Sequence, residues 1–164
     1  MDLSIIIVAH NVKDLVNACL AKIMQSKDSL KKEVIYVDNG SPDGTTVMVR
    51  EMFPTVTLIE SKENLGFGRA NNLGYTKAGG KYILLLNCDA FIGEFTLQRV
   101  VDYMEKEPEC GILGCRLIDQ NGQPQPSARK FITPWRMFCL YTDIGKKFPK
   151  LPFLKGIDDL TSNH

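Results

Sequence analysis

The sequence predicts an α/β fold, Rossmann-like, in which a mostly parallel sheet carries helices on both faces. Three observations support this class. Apolar runs of strand length alternate with amphipathic helical segments in the order βαβαβαβαβ. The first run, LSIIIVA at residues 3–9, is almost continuously apolar and β-branched, which is typical of a strand covered on both faces. The length of 164 residues, with 44% hydrophobic and 24% charged residues, fits one ordinary globular domain.

The first three strands alternate with two helices. Apolar residues at helical spacing predict a helix after the first strand, and they are Val12, Leu15, Val16, Cys19, Leu20, Ile23 and Met24. Residues 33–38 (EVIYVD) and 55–60 (TVTLIE) predict the second and third strands. Between them, Ser41-Pro42-Asp43 predicts a helix N-terminus with Ser41 as N-cap and Pro42 in the first helical position, and this helix ends near Phe53.

The second half of the predicted sheet follows a helix within residues 64–80. Ala70, Gly74 and Ala78 recur every four residues and let this helix pack close to the sheet, and Gly79-Gly80 signals its end. Residues 81–86 (KYILLL) are the most apolar strand, so we expect them at the centre of the sheet. Three later features follow: a helix over 94–106, a strand over 111–114 and a hairpin around Asn121-Gly122.

Charge and cysteine content exclude several classes of protein. The net charge of +1 lacks the basic excess of nucleic-acid readers, so we expect no nucleic acid as a partner. Five cysteines at irregular spacings include no CxxC pair, which favours reduced thiols in a cytoplasmic protein over a zinc or redox site. The apolar run near the N-terminus is too short for a membrane span and lacks the basic start of a signal peptide.

Candidate binding residues follow the predicted strands. In open α/β sheets, ligands bind at the carboxyl ends of the strands. The segments at these ends are His10-Asn11, residues 38–41, residues 61–69 and residues 87–89. Dinucleotide-binding and P-loop sites are disfavoured, because no glycine follows the first strand, the GxG at residues 66–68 follows the wrong strand and no GK[ST] occurs.

Asp89 is the strongest single candidate for metal binding. A carboxylate at the end of a buried strand is rigidly placed and costly to leave unpaired. A hard divalent cation that joins it to a diphosphate would satisfy that charge. The alternative is that Asp89 only caps the following turn, and the residue alone does not decide between the two.

Four strings, taken in order, resemble a known family. They are SIIIVAHN, EVIYVDNGSPDGT, ENLGFGRANNLGYTKAGGKYILLLNCDA and GILGCRLIDQNGQPQPSARKF, and together they span residues 3–131. The chain is identified as a member of the family 2 glycosyltransferases of the GT-A fold, and it is most similar to the rhamnosyltransferase-like bacterial branch. The resemblance implies an inverting transferase that moves a sugar from a nucleotide-diphosphate donor, a dTDP- or UDP-sugar, to a saccharide or lipid-linked acceptor in surface polysaccharide synthesis.

The resemblance also implies roles for residues at the first two strand ends. Asp38 would accept a hydrogen bond from the pyrimidine ring, and its alternative is a turn-forming role with Asn39 and Gly40. Ala9 would contact the nucleotide through its backbone. His10 replaces the tyrosine of many relatives and would stack on the pyrimidine, or it is only a polar residue at a strand end.

The remaining implied contacts lie in the other two strings. Gly66 and Arg69 belong to the segment beside the nucleotide, where Arg69 would meet the base or the phosphates unless it is merely solvated. The DxD metal motif of the family appears as Asn87-Cys88-Asp89, with asparagine in place of the first acid. Asp89 would bind Mg²⁺ or Mn²⁺, and Asn87 would lend an oxygen or touch the donor sugar.

The general base of the family lies in an acceptor-side region beyond this chain, and we assign none here. Asp158-Asp159 reads as a solvated acidic tail. We therefore expect a nucleotide-sugar-binding domain over residues 1–130 and an incomplete acceptor-side segment over 131–164. The alternative function is a donor-binding fragment without turnover. A nucleotidyltransferase is a weaker alternative, because residues 8–11 lack the glycine-rich basic signature of that class.

The segment 131–164 interleaves aromatic and basic residues without a clear helical period. One hypothesis seats it on the anionic inner face of the membrane. The hypothesis that we favour is packing against the missing acceptor side, which would leave an apolar surface exposed and lead either to self-association or to a disordered tail. The residues concerned are Phe131, Trp135, Phe138, Tyr141, Phe148 and Phe153 with Arg136, Lys146, Lys147, Lys150 and Lys155.

Overall fold

A computed structural model describes residues 1–119, 121–125 and 131–147. The chain divides into two compact units, Met1–Glu109 and Cys110–His164. The first unit holds strands β1 (Leu3–Ala9), β2 (Lys32–Asp38), β3 (Thr57–Glu60) and β4 (Tyr82–Asn87), with helices α1 (Lys13–Met24), α2 (Thr45–Met52), α3 (Phe67–Tyr75) and α4 (Thr96–Lys106). The second unit holds β5 (Leu117–Ile118), β6 (Pro124–Gln125), α5 (Pro134–Thr142) and α6 (Ile144–Lys147).

The sheet of the first unit has the order β3-β2-β1-β4, and all of its pairs are parallel. The predicted α/β class is therefore confirmed. The expectation that KYILLL is the central strand is wrong, because β4 pairs only with β1 within the described chain and lies at an edge. Its side chains alternate between half-buried and exposed positions, and Leu85 remains 54% exposed. An apolar run thus marks a strand without marking its place in the sheet.

Two apolar layers enclose the sheet. On one face, α1, α2 and α4 bury Leu20, Val49 and Leu97 against β1 and β2. On the other face, α3 packs Ala70 over Ile6 and Val37. Helices on both faces follow from the βαβ order, because each crossover helix must return across one face to start the next parallel strand.

The small-residue stripe on α3 does allow a close approach. A Cβ at Gly74 would lie 2.6 Å from Ile6 Cγ2 and 3.1 Å from Val37 Cγ2, so only glycine fits there without a shift. The end of the helix differs from expectation, since α3 stops at Tyr75 and a turn leads to Ala78. Gly80 is instead needed for packing, because a Cβ there would lie 2.6 Å from the backbone nitrogen of Ser4.

Helix α2 begins later than the expected start at Ser41-Pro42. Gly44, with φ of +78°, precedes the first helical residue Thr45. Asp43 supplies the cap, because its carboxylate accepts hydrogen bonds from the backbone N–H and the hydroxyl of Thr45. The Asp43 cap and the left-handed Gly44 therefore set this helix start, and the chain extends past the serine and the proline first.

The second unit contains the predicted hairpin around Asn121-Gly122, with β5 and β6 antiparallel and Gly122 at φ of +76°. The predicted strand over 111–114 is wrong, since residues 111–116 have no regular structure and no described strand pairs with them. Helix α5 begins after Thr133, whose hydroxyl accepts a hydrogen bond from the Arg136 backbone. None of the helices in the described part of the chain has the length and apolar character needed to cross a bilayer.

Candidate functional site

The candidate site lies at the carboxyl edge of the parallel sheet in the first unit. Ala9, Asp38 and Asn87 are the last residues of β1, β2 and β4. Ala9 is the register partner of Asp38, and Asn87 is the partner of Val8. Gly66 caps α3, which starts from the same edge after β3. The fold therefore brings the sequence-predicted residues of four separate segments to one edge, as expected for open α/β sheets.

Asp38 is buried, with 2% of its surface exposed, and its carboxylate already has two internal donors. Its Oδ1 accepts a hydrogen bond from the Tyr36 hydroxyl at 3.2 Å, and its Oδ2 accepts one from the Ser41 backbone N–H at 2.9 Å. The bond to Ser41 closes the turn that the alternative interpretation of Asp38 predicted. A carboxylate has about four lone-pair positions, so each oxygen retains capacity for one further donor.

Tyr36 is fully buried in the larger apolar layer, directly below Asp38 on the same face of β2. Burial raises the pKa of its hydroxyl above the ordinary value, and the neighbouring carboxylate of Asp38 raises it further. The hydroxyl therefore stays protonated and acts as a donor to Asp38. Sequence reasoning missed this residue, although a tyrosine inside an otherwise aliphatic strand needs a polar partner.

Asn39 joins two parts of the edge through four hydrogen bonds. Its backbone N–H donates to the Ala9 carbonyl, and its carbonyl accepts a bond from His10 Nδ1 at 3.0 Å. Its side chain donates to Asn64 Oδ1 at 2.9 Å and accepts from the Leu65 backbone at 2.8 Å. Because a carbonyl only accepts, the contact assigns the proton of His10 to Nδ1 and leaves Nε2 on the exposed ring free as an acceptor.

Asp43 connects the N-termini of two helices at this edge. In addition to capping α2, its Oδ2 accepts a hydrogen bond from the Lys13 backbone at the start of α1. The hydrogen bonds from Thr45 hold the pKa of the Asp43 carboxyl below its ordinary value. The loop before α1 is anchored as well, since the Asn11 backbone, at φ of +58°, donates to Ser41 Oγ.

The start of α3 is open to solvent. Gly66 adopts φ of +76°, and its N–H donates to Asn64 Oδ1. No described atom lies within 4 Å of the Cβ position of either Gly66 or Gly68, so the space beside this helix start is free. Arg69 is exposed, and among the described residues it makes no ion pair or side-chain hydrogen bond.

Asn87, Cys88 and Asp89 form a turn that the hydrogen bond from the Ala90 N–H to the Asn87 carbonyl closes. Asp89 is exposed, and within the described chain its carboxylate has no hydrogen-bond or ion-pair partner. Cys88 packs against the larger apolar layer. Burial raises the pKa of Cys19, in that layer, to about 12, and the nearby Cys88 and Asp89 contribute to the shift.

The arrangement fits a divalent cation that takes only part of its ligands from the protein. No group of three or more His, Cys, Asp or Glu side chains that could hold a metal exists among the described residues. A single free carboxylate at a strand end suits Mg²⁺ or Mn²⁺, because such ions commonly bind one or two carboxylates and take their other oxygens from phosphates and water. Asp89 would be the protein ligand, with the Asn87 side chain as a neighbouring oxygen donor.

Two residues that shape the site, Tyr36 and Asn71, were not singled out from the sequence. Asn39, Asp43 and Asn64 were named in a turn, a helix start or a candidate segment, without the contacts that the structure gives them. Asn71 is buried on α3, where its amide donates to the Phe67 carbonyl and its Oδ1 has no partner in the described structure. The available signal was position, because polar residues directly after buried strands or in the first turns of a crossover helix lie at the ligand edge. The bonds of Asn39 to Asn64 and of Asp43 to Lys13 join residues 25 and 30 positions apart, so pattern alone could not assign them.

Comparison with known proteins supports the family that the sequence motifs indicated. The model of the family described as "Glycosyl transferase family 2" matches residues 4–157. The N-acetylglucosaminyl-diphospho-decaprenol L-rhamnosyltransferase of Mycobacterium tuberculosis is 30% identical over 131 residues, which cover 73% of this chain and 42% of that protein. The poly(ribitol-phosphate) beta-glucosyltransferase of Bacillus spizizenii is 30% identical over 133 residues, which cover 78% of this chain and 21% of that protein.

Solved structures show the same fold. The mannosyltransferase PcManGT from Pyrobaculum calidifontis, solved in complex with GDP-Man and Mn²⁺, has a TM-score of 0.62 at 26% identity, covering 71% of this chain and 35% of that one. S. aureus TarS 1-349 in complex with UDP has a TM-score of 0.61 at 18% identity, covering 75% of this chain and 43% of that one.

The chain spans about two-fifths or less of the length of these relatives. The family match covers most of its residues, and the described part of the match contains the whole sheet edge that carries Asp38, Arg69 and Asp89. The chain belongs to glycosyl transferase family 2 and has the α/β fold of its GT-A members.

Proposed function

We propose that this chain is the nucleotide-sugar-binding part of an inverting glycosyltransferase. The protein would transfer a sugar from a dTDP- or UDP-linked donor to a saccharide or lipid-linked acceptor in cell-surface polysaccharide synthesis. One observation carries the proposal: the family's donor-site positions, predicted here as Ala9, His10, Asp38, Gly66, Arg69, Asn87 and Asp89, occur in segments that meet at one sheet edge.

The free and the engaged side chains of this edge support different tasks. Arg69 and Asp89 are exposed and have no partner among the described residues, so they are available to phosphate oxygens and to a cation. Asp38 and Asn39 are buried and hydrogen-bonded, so they provide a rigid surface for the base. A divalent metal, when bound, would stabilise the negative charge that develops on the departing diphosphate.

Inversion at the sugar also requires a carboxylate base that deprotonates the acceptor hydroxyl. We assign that role to no residue of this chain. Asp158-Asp159, which we interpret as a solvated tail, lies outside the described residues, as do Phe148, Lys150, Phe153 and Lys155. The division into a donor domain over 1–130 and an acceptor-side segment over 131–164 stays part of the proposal. We also propose that the protein acts at the cytoplasmic side of the membrane, where it either contacts the membrane peripherally or self-associates.

The requirement for a metal and the preference for a pyrimidine nucleotide are tested together by calorimetry. We expect UDP and dTDP to bind more tightly than GDP or ADP in the presence of Mg²⁺ or Mn²⁺. Affinity should fall at least tenfold in EDTA, because the diphosphate then meets Asp89 without a bridging cation. Asp89→Ala should lose the metal dependence without a change in thermal unfolding.

The matched control is Asp14→Ala, which removes another exposed carboxylate, in the first turn of α1. Equal binding of UDP with and without EDTA contradicts the metal role of Asp89. A wild-type preference for GDP contradicts the assignment of a pyrimidine donor. Sugar transfer measured with and without an acceptor then separates an active transferase from the alternative, a binding fragment without turnover.

A further inference from the structure

We propose that Tyr36 is a positioning residue that sets the base specificity of this site, because its buried hydroxyl fixes the Asp38 carboxylate in the orientation that selects a base carrying a ring N–H. The inference rests on the proposed function, in which Asp38 contacts the pyrimidine of the donor. It extends that function to a side chain that cannot itself touch the ligand, since Tyr36 is 0% exposed.

The two hydrogen bonds to Asp38 hold it at both ends of the carboxylate. The Tyr36 hydroxyl lies 3.2 Å from Oδ1, and the Ser41 backbone nitrogen lies 2.9 Å from Oδ2. With a donor on each oxygen, the plane of the carboxylate is fixed, and the remaining lone pairs point in set directions. With the Ser41 bond alone, the group can rotate about its terminal torsion, which has broad rotamer preferences.

The Tyr36 hydroxyl can serve only as a donor in this position. Burial and the nearby carboxylates of Asp38 and Asp43 oppose its ionisation. It therefore keeps Asp38 as an acceptor toward any ligand. Uracil and thymine present a ring N–H as a donor, whereas the corresponding ring nitrogen of cytosine is an acceptor and would face the carboxylate without a hydrogen. A fixed acceptor disfavours the cytosine ring, because the carboxylate oxygen and the ring nitrogen are both acceptors and would face each other with no hydrogen between them.

A purely structural role for Tyr36 makes a different prediction. Its ring belongs to the larger apolar layer beside Val34 and Met48, and a buried tyrosine hydroxyl needs a hydrogen-bond partner in any case. If that were its whole role, removal of the hydroxyl would lower the stability of the domain and leave the choice of base unchanged. The ratio of two affinities therefore separates the roles, because a general loss of stability does not alter it.

The test compares UDP with CDP, which differ only at the base edge that Asp38 would contact. Calorimetry with Mg²⁺ should show that the wild-type chain prefers UDP. In Tyr36→Phe, the UDP-to-CDP affinity ratio should fall about five- to tenfold, the size expected for one oriented hydrogen bond. Asp38→Asn should reduce the ratio at least as much. Tyr82→Phe removes the same hydroxyl on the same face of the sheet, but at the amino end of β4 and away from the candidate site. This control should leave the affinity ratio unchanged.

A second measurement needs no substitution. With ¹³C-labelled tyrosine, the Tyr36 Cζ resonance should shift when UDP binds and should shift much less with CDP. This inference is overturned if the affinity ratio is unchanged in Tyr36→Phe, or if the Cζ resonance does not shift when UDP is added. The proposed function still stands in that case, provided that the wild type prefers UDP. Failure of the wild type to bind either nucleotide overturns the proposed function and the inference with it.

Discussion

Single polar residues at the sheet edge fall into two groups. Asp38, Asn39 and Asp43 are hydrogen-bonded to the protein, whereas Arg69 and Asp89 are exposed and free within the described chain. Buried polar groups are costly unless they are paired, so the hydrogen bonds of the first group serve to fix the local structure. The second group keeps its charge available to a ligand. We expect substitutions of Asn39 and Asp43 to change stability and those of Arg69 and Asp89 to change binding. Substitutions of Asp38 should change both the stability and the choice of base.

Asp43 provides a test of the first group through pH. Asp43→Ala should lower the free energy of unfolding by about 0.5–2 kcal/mol, because the N-termini of α1 and α2 lose a shared acceptor. The pKa of Asp43 is lowered from 3.8 in the folded chain. Its contribution is therefore complete above pH ~4 and is lost as the pH falls through the folded value. Chemical denaturation at several pH values should show the difference between wild type and variant shrinking below pH ~4.

Asp14→Ala is the control for this prediction. Asp14 also lies in the first turn of α1, but its carboxylate makes no hydrogen bond to any described residue. It shares the favourable interaction of a negative charge with the helix N-terminus and lacks the cap. If both variants lose the same stability with the same pH dependence, the two-helix cap of Asp43 is not the cause.

Among the secondary structure elements, α3 combines close packing at one position with open space at another. Gly74 faces the sheet, where a Cβ would lie 2.6 Å from Ile6, while Gly68 in the first turn has no described atom within 4 Å of its Cβ position. Glycine therefore occurs at two positions of this nine-residue helix for different structural reasons. Packing demands glycine at Gly74. No described neighbour demands glycine at Gly68, which lies beside the proposed donor site.

Alanine at these two positions should change stability in opposite directions. Gly74→Ala should destabilise the domain by about 1–3 kcal/mol, because the added methyl group overpacks the contact with β1 and β2. Gly68→Ala should stabilise it by about 0.5–1 kcal/mol through helix propensity, since nothing opposes the methyl group. Urea unfolding of the two variants measures both values. A loss of stability in Gly68→Ala would show that the free space beside α3 is needed by the fold itself.

For the whole molecule, the two units pose different questions. The first unit has a sheet covered on both faces around β1 and β2, whereas the second presents aromatic side chains to solvent. On α5, Trp135, Phe138 and Tyr141 recur every three residues. Phe131 is 87% and Tyr141 81% exposed, and the Trp135 and Phe138 rings stack at 5.5 Å. An apolar surface of this kind favours association.

We expect self-association of the chain and no binding to membranes. In sedimentation experiments the chain should form dimers or larger species, because association would bury the exposed rings of α5. Phe138→Ser should shift it toward monomer, and Phe91→Ser, which alters an exposed ring of the first unit, should not. Salt-sensitive binding to anionic vesicles that disappears on deletion of residues 131–164 would favour the membrane hypothesis instead.

Local patterns were sufficient to predict the class of the fold and the edge of the sheet at which the candidate site lies. Four patterns that depend on residues close in sequence reappear in the structure. They are the βαβ order, the β-branched run of β1, the helical spacing through Leu20 and Ile23, and the hairpin glycine Gly122. The position of polar residues after each strand predicted which side chains gather at the edge, because parallel strands all end there.

Tertiary structure alone decided the position of β4 at the sheet edge and the role of Gly80. It also decided that Tyr36 holds Asp38, that Asn39 links β1 to the loop before α3 and that Asp43 caps two helices. These features depend on atoms that are brought together from as many as 76 positions apart in the chain, as in the contact of Gly80 with Ser4. A pattern in sequence reports the period of an element, whereas such contacts exist only once the sheet has assembled.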